Sequence, residues 1–188
     1  MPARSRALRL RGALAAAALA AAACAGPRFT LPAAEVEFEV SGRFAVKYGD
    51  DAASGNFAWR HAPSSDEMLL TTPFGQGIAR IVRLGGAYTL TTPDSRDYHA
   101  ASAEALTERV LGFRVPLAGL ADWARGRPAQ APAPPPGAIR RDDSGLLAGF
   151  AQSGWTVEYL EYDDASRPVR MRLAYPGLEL RLAISEWR

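Results

Sequence analysis

The sequence is poor in the residues on which most enzymes and nucleic-acid binders rely. Among 188 residues there is one cysteine and there are two histidines. A lone cysteine makes no internal disulfide, which excludes a disulfide scaffold. His61 and His99 lie far apart in the chain without metal-ligand company, so no metal ligand is nominated. No glycine-rich phosphate loop, HExxH helix or Gly-x-Ser-x-Gly elbow occurs. The adjacent acidic pairs Asp50-Asp51, Asp142-Asp143 and Asp163-Asp164 fall in predicted turns, where aspartate is favoured for its own hydrogen bonding. No residue is nominated as catalytic, no cofactor is implied, and an enzyme is not expected. Lysine is nearly absent, Lys47 standing alone.

What the N-terminus holds is a different kind of signal. Arg4, Arg6, Arg9 and Arg11 come with no acidic residue, and an apolar run of twelve residues follows, Gly12 to Ala23. That run is too short to span a bilayer but suits a secretory signal peptide. Cys24 follows Ala21-Ala22-Ala23 directly, with Ala21 where a lipoprotein signal usually has leucine. The position points to a bacterial lipoprotein cleavage site, with Cys24 as the point of lipid attachment. Two or more acyl chains there, at about 0.8 kcal/mol per buried methylene, would anchor the protein stably. The expected organisation is a signal peptide over 1–23, a lipid-anchored tether over 24–34 and one domain over 35–188. Removing residues 1–23 takes four of the 22 basic residues and leaves 18 against 20 acidic ones, formally −2. No basic cluster remains, so no nucleic-acid partner is expected.

The domain reads mainly as antiparallel strands. Val36, Phe38, Val40, Gly42, Phe44, Val46 and Tyr48 alternate with Glu35, Glu37, Glu39, Arg43 and Lys47, a period of two that marks a half-buried strand. Gly55, Phe57, Trp59 and His61 alternate likewise. Strands are predicted over 68–72, 76–84, 87–92 and 96–100. Apolar residues on both faces between 77 and 84 suggest a sheet covered on both sides there. The period then becomes helical: Ser102 suits an N-cap, Glu104 and Arg109 suit the ends, and Ala105, Leu106, Val110 and Leu111 form a stripe that Gly112 ends. Pro116 opens a second short helix with Leu117, Leu120 and Trp123 on one side and Gly126 as its stop. Residues 127–137 carry five prolines and read as a surface loop or flexible linker. Strands resume over 139–143, 146–152, 155–162, 169–175 and 178–187.

Nine to eleven antiparallel strands in one sheet must curl or close. The fold class is therefore mainly β with two or three short helices (α+β), an incomplete antiparallel β half-barrel with a helical lid over an apolar cavity. Candidates for the cavity lining are Val40, Phe44, Val46, Phe57, Trp59, Leu70, Ile78, Leu106, Leu120, Trp123, Trp155, Leu173 and Leu182. Ordinary core packing is the competing reading for each. One turn stands apart. In Leu70-Thr71-Thr72-Pro73-Phe74-Gly75 the proline and glycine suit a type I turn over 72–75, which sets Phe74 at the tip. Either Phe74 folds back on its own sheet, or the loop Pro73, Phe74 and Gly75 is held out to touch a membrane or an apolar ligand.

Together, Ser41-Gly42-Arg43-Phe44, Gly55-Asn56-Phe57-Ala58-Trp59, Leu70 to Gly75, Pro116-Leu117, Asp122 to Gly126, and Gln152-Ser153-Gly154-Trp155 with Tyr159 and Tyr162 resemble the outer-membrane lipoprotein receptor family LolB. The resemblance covers nearly all of the chain after Cys24, in order. It implies the half-barrel shared with the soluble periplasmic carrier LolA. It implies a receptor that takes acylated lipoproteins from that carrier and inserts them into the outer membrane. Phe74 stands where the family commonly has leucine at the tip of its membrane-insertion loop. Ala25 after the cysteine, in place of an inner-membrane retention aspartate, implies the outer membrane, with the protein lipid-anchored in the inner leaflet and facing the periplasm. The partners implied are a LolA-like carrier, acylated lipoproteins and outer-membrane lipid, and a monomer is expected. A carrier or binding module for another lipid, or a structural envelope lipoprotein, is the alternative.

Overall fold

The computed structural model describes residues 29–30, 36–112, 114–115 and 117–188. The signal peptide, Cys24, most of the tether and Pro116 lie outside the described residues. Of the unit formed by residues 1–30, Phe29 and Thr30 are described, and neither is in a helix or strand. The unit that begins at Leu31 carries every described element.

Six strands come first: β1 (Phe38–Tyr48), β2 (Asp51–Ala62), β3 (Ser65–Thr71), β4 (Gly77–Leu84), β5 (Ala87–Thr91) and β6 (Asp97–Ala100). Two helices follow, α1 (Ala103–Leu111) and α2 (Leu117–Ala124). Then come β7 (Arg140–Arg141), β8 (Leu147–Gln152), β9 (Trp155–Tyr162), β10 (Pro168–Tyr175) and β11 (Leu178–Trp187). All strands join one antiparallel sheet in the order β6-β5-β4-β3-β2-β1-β11-β10-β9-β8-β7. The chain runs outward from β1 to one edge, crosses by way of the helices, and returns from the other edge to close β11 against β1. The edges β6 and β7 do not pair, so the sheet is open.

Alternation explains which face is which. Phe38, Val40 and Phe44 pair in register with His61, Trp59 and Gly55 on one side, and Phe44 and Val46 pair with Leu182 and Leu180 on the other. These residues share one face, and the buried core lies on it. The opposite face carries cross-strand arginine–glutamate pairs at register partners. Arg60 Nη2 meets Glu39 at 2.8 Å and Arg172 Nη2 meets Glu158 at 2.6 Å. Each such pair contributes about 0.2–1 kcal/mol. Between β2 and β4 that outer face is also withdrawn from water. Ala58 and Glu67 are buried there, and Leu69 and Val82 are half-buried.

Bulges add curvature. One falls at Ser41/Gly42 against β11. Another falls between β3 and β4, where Leu70 pairs with Ala79 and Thr71 with Gly77, leaving Ile78 as the extra residue. The turns of β1–β2, β3–β4, β5–β6, β8–β9 and β10–β11 all lie at one end of the sheet, as the antiparallel order requires. Gly49 N–H donates to Gly177 O at 3.0 Å across two of them.

α1 is capped as its residues predict. The Ser102 hydroxyl accepts from Ala105 N–H at 3.2 Å, and Gly112 ends the helix with φ 82°. Its buried side differs from the predicted stripe. Ala105 is exposed, while Ala103, Leu106 and Thr107 are buried. Thr107 is tolerated there because its hydroxyl donates to Ala103 O at 2.9 Å and accepts from Val115 N–H at 2.9 Å.

α2 is fastened more heavily. The Trp123 indole N–H donates to Gln152 Oε1 at 2.8 Å, and the Tyr159 hydroxyl donates to Trp123 O at 2.8 Å. Arg125 Nη1 meets Glu37 at 2.5 Å. The proline-rich stretch is not a free linker. Gln152, buried on β8, accepts from Ala129 N–H at 2.9 Å and donates to Ala129 O and Pro132 O at 2.8 and 2.6 Å. All four hydrogen-bonding positions of its amide are filled, so it ties the loop, α2 and the sheet together.

Candidate functional site

The concave face divides into two halves. Over β8–β10 the space is filled: the Trp123 ring packs against Phe150 and Trp155, with centroids 6.2 and 6.1 Å apart. Over β11, β1, β2, β3 and β4 it is not. There the sheet supplies Phe44, Val46, Phe57, Trp59, Met68, Leu70, Ile81, Leu180 and Leu182, and the helical layer supplies Thr107, Val115, Leu117 and Leu120. They enclose a chamber of about 90 Å³ whose wall exposes no polar atom. Trp59 lines it without a polar edge because its indole N–H donates to Asp66 at 2.9 Å.

A second, wider space of about 370 Å³ adjoins the first and shares Phe44, Val46 and Leu70 with it. Its other walls are Tyr48, Asp51, Ala52, Ala53, Ile78 and Val110. It therefore opens toward the end of the sheet where β1 turns into β2. Burial along β1 falls off in the same direction, from Phe38 and Val40, which are buried, to Tyr48, which is exposed.

Of the residues nominated from the sequence, Phe44, Val46, Phe57, Trp59, Leu70, Ile78, Leu120 and Leu182 line these chambers. Val40, Leu106, Trp123, Trp155 and Leu173 line neither chamber and are buried in the core. Trp123 and Trp155 fill the α2 half. Leu173 is the register partner of Val157, Val40 that of Trp59 beyond the chamber, and Leu106 is fully buried on α1, which packs on β5 and β6. The chambers are also lined by Met68, Ile81, Thr107, Val115, Leu117, Val110 and Leu180, which the alternation pattern does not single out. The signal that finds Met68 and Ile81 is register: they stand beside Trp59 in one row across β3 and β4.

Residues 72–76 form a three-residue hairpin loop. Thr72 N–H donates to Gln76 O at 2.8 Å, and Gly75 N–H donates to Thr72 O at 2.9 Å. Gly75 takes φ 86°, the left-handed residue such a loop requires. Phe74 is 93% exposed, so it does not fold back on its own sheet. The turn is also pinned from β2, where Asn56 Nδ2 donates to Thr72 O at 3.1 Å. Gly55 beside it admits the Thr71 carbonyl, which a Cβ there would meet at 2.1 Å. Leu70 and Ile78, on either side of the turn, line the outer chamber.

A polar cluster, buried at His61 and half-buried at Asp66 and Arg83, closes the far end of the concave face. Asp66 accepts from Trp59 and from Arg83 Nε, and its Oδ1 lies 2.6 Å from His61 Nδ1. Arg83 Nη2 also donates to Ala62 O at 3.0 Å. These groups satisfy one another. Among the described residues no group of three metal-ligating side chains gathers, and no helix is long and apolar enough to cross a membrane. Burial raises the phenol of Tyr162 to about 12, and its hydroxyl donates to Leu147 O at 2.6 Å. The arrangement offers an apolar receptacle and an exposed apolar probe.

The family model described as outer membrane lipoprotein LolB matches residues 36–187. An outer-membrane lipoprotein LolB of Azoarcus sp. is 37% identical over 175 residues, covering 88% of each chain. That of Thiobacillus denitrificans is 36% identical over 149 residues, covering 79% of this chain and 78% of its own. A crystal structure of a LolA superfamily protein from Nitrosomonas europaea covers 86% of this chain and 87% of its own, with a TM-score of 0.51 at 13% identity, a likeness of fold alone. The chain belongs to the LolB family.

Proposed function

We propose that this protein is an outer-membrane lipoprotein receptor. It accepts acylated lipoproteins from a soluble LolA-like carrier and inserts them into the outer membrane, while held in the inner leaflet, facing the periplasm, by lipid on Cys24. Family membership supports the reading. The observation that carries it is an apolar chamber opening toward a turn whose tip is an exposed phenylalanine.

The sizes give the transfer its direction. The inner chamber, about 90 Å³, is below the roughly 300–1,000 Å³ of sites that bury a whole small molecule. An acyl chain that starts there must continue into the outer space, where it stays partly wet. Each methylene left in water forfeits about 0.8 kcal/mol that a bilayer would return, so release into membrane runs downhill. Phe74, entering lipid with a gain of about 1.5–3 kcal/mol, would bring the mouth to the surface.

The test loads a soluble carrier with a radiolabelled lipoprotein and adds this chain from residue 24 onward with Cys24→Ala, then liposomes. Label is expected to pass to the receptor and on to the liposomes. With Phe74→Glu it should reach the receptor and stop. If neither form takes label from the carrier, the receptor reading falls and a carrier of another lipid or an envelope scaffold replaces it.

A further inference from the structure

The outer edges of the sheet are short: β6 has four residues and β7 two. Short edge strands are a common protection against unwanted pairing. The longer free edge lies inside the sheet, where strand lengths do not match. β2 has twelve residues and β3 seven. Their last register pair is Asn56 with Thr71, after which Thr72 turns away to pair with Gln76. From Asp51 to Gly55, β2 continues as strand and pairs with β1 through Tyr48–Asp51 to Phe44–Gly55. Its other edge has no strand partner among the described residues over that stretch, although at Gly55 the Thr71 carbonyl lies against it.

The properties of this edge are those of a docking strand rather than a protected one. Alternate residues turn backbone N–H and C=O outward along about 17 Å. Asp51, Ala52, Ala53 and Ser54 are exposed, and the edge itself carries no lysine, proline or bulge, Lys47 standing beside Ala52 on β1. Their side chains are small, so none shadows the backbone. Asp51, Ala52 and Ala53 also line the outer chamber. A ligand with an apolar chain in that chamber and a polypeptide attached to it would bring its backbone to this edge.

Accepting the receptor reading above, we infer that the free edge of β2 at Asp51–Gly55 binds the extended peptide that follows the acylated residue of the cargo. The peptide adds as an extra strand while its acyl chains enter the outer chamber. In this chain's own sequence the segment after Cys24 carries no strand or helix pattern. Backbone hydrogen bonds read no sequence, and the small side chains of Ala52, Ala53 and Ser54 impose none, which suits a receptor for many cargoes.

The experiment compares two lipopeptides, a diacylated cysteine followed by six small residues, and the same molecule N-methylated along its backbone. Both are titrated into the chain from residue 24 onward with Cys24→Ala, a form that keeps every described strand and helix. The unmodified lipopeptide is expected to bind about tenfold more tightly, the scale of one or two lost hydrogen bonds. It should also slow amide hydrogen exchange within 51–55, which the methylated one should not. Equal affinities, or protection that misses 51–55, overturn the inference while leaving the receptor reading standing. If neither lipopeptide binds, both fall. If the protein alone protects 51–55 as its concentration rises, a second copy occupies the edge and the inference is wrong.

Discussion

Two turns of this protein share a sequence frame and a hydrogen-bond pattern but differ at the tip. Thr71-Thr72-Pro73-Phe74-Gly75-Gln76 joins β3 to β4, and Thr91-Thr92-Pro93-Asp94-Ser95-Arg96 joins β5 to β6 at the same end of the sheet. In the second, Thr92 N–H donates to Arg96 O at 3.0 Å and Ser95 N–H to Thr92 O at 2.9 Å, the same two bonds that close the first. Ser95 takes φ 60° where Gly75 takes 86°. The tips part company. Asp94 accepts from the Thr92 hydroxyl at 2.5 Å and pairs with Arg96 at 2.8 Å. Phe74 touches water over 93% of its surface. The backbone plainly does not require an aromatic at that position, since the same loop closes with aspartate. The turn with Phe74 is also the one braced by Asn56 and flanked by chamber residues. Nothing in the turn's backbone accounts for an exposed phenylalanine there, which supports the membrane contact proposed above.

Replacing Phe74 with glutamate breaks the comparison most sharply. Stability should stay within about 0.5 kcal/mol of the parent, since the side chain has almost no contacts to lose. Delivery of lipoprotein to liposomes should fall about 10- to 100-fold, the equivalent of 1.5–3 kcal/mol of membrane contact. Uptake from the carrier should not change. Liposome delivery at the parental rate would show that Phe74 plays no part in insertion. Transposing the tips, Phe74→Asp with Asp94→Phe, asks whether any exposed phenylalanine at this end suffices. Flotation with vesicles should recover to within about tenfold of the parent, because one apolar tip is restored. Cargo delivery should remain at the level of Phe74→Asp alone, because no residue of turn 91–97 lines the chamber. Recovered delivery would mean that position relative to the mouth is immaterial.

The frame shared by the two turns was legible in the residues, and so was most of the sheet. Alternation along Phe38 to Tyr48 and Leu178 to Trp187 needs no tertiary information, because each strand buries one face against the same core. Which part of that face stays hollow was not legible. Trp59 and Trp155 have equal claims from alternation alone. The difference arises because Trp123, sent across from α2 and fixed by Gln152, fills one half and leaves the other empty. Gln152 itself left a trace. It falls two residues after Phe150 on the inward side of β8, and a polar residue in that phase asks for buried partners. Those partners lie in a proline-rich stretch whose composition reads as linker, so the trace was easy to miss. Thr107 is similar: its place in the chamber wall depends on a bond to Val115 N–H across the inter-helix connection. The tip of Phe74 was placed by turn chemistry, but its exposure is a fact of the folded molecule.

The brace from Asn56 gives a smaller effect. Asn56→Ala removes the bond to Thr72 O and should cost about 0.5–1.5 kcal/mol, read as a lower urea midpoint at unchanged slope. The effect on lipoprotein delivery should be milder than that of Phe74→Glu, since the phenylalanine remains and only its support loosens. An unchanged midpoint would mean that the two turns are equally self-sufficient and that the brace is incidental.

The smallest difference concerns acid. The Thr92 hydroxyl, and after it the Arg96 guanidinium, hold the Asp94 carboxyl below the usual carboxylate range. A carboxyl lowered in the folded state contributes stability that is complete above its unfolded value, near 3.9. That contribution is lost as pH falls through the lower folded value. Asp94→Asn should therefore flatten part of the stability curve below about pH 4, meeting the parent in acid and lying below it near neutrality, where the carboxylate's contribution is gone. Phe74→Asp supplies the counterpart. Thr72 offers the same hydroxyl, but Gln76 stands where Arg96 does in the other turn, so the new carboxyl gains the hydrogen bond without the guanidinium. Its acid dependence should be shallower than that of Asp94, measured by urea unfolding at stepped pH. Equal slopes would assign the effect to the threonine alone and remove the arginine from the account.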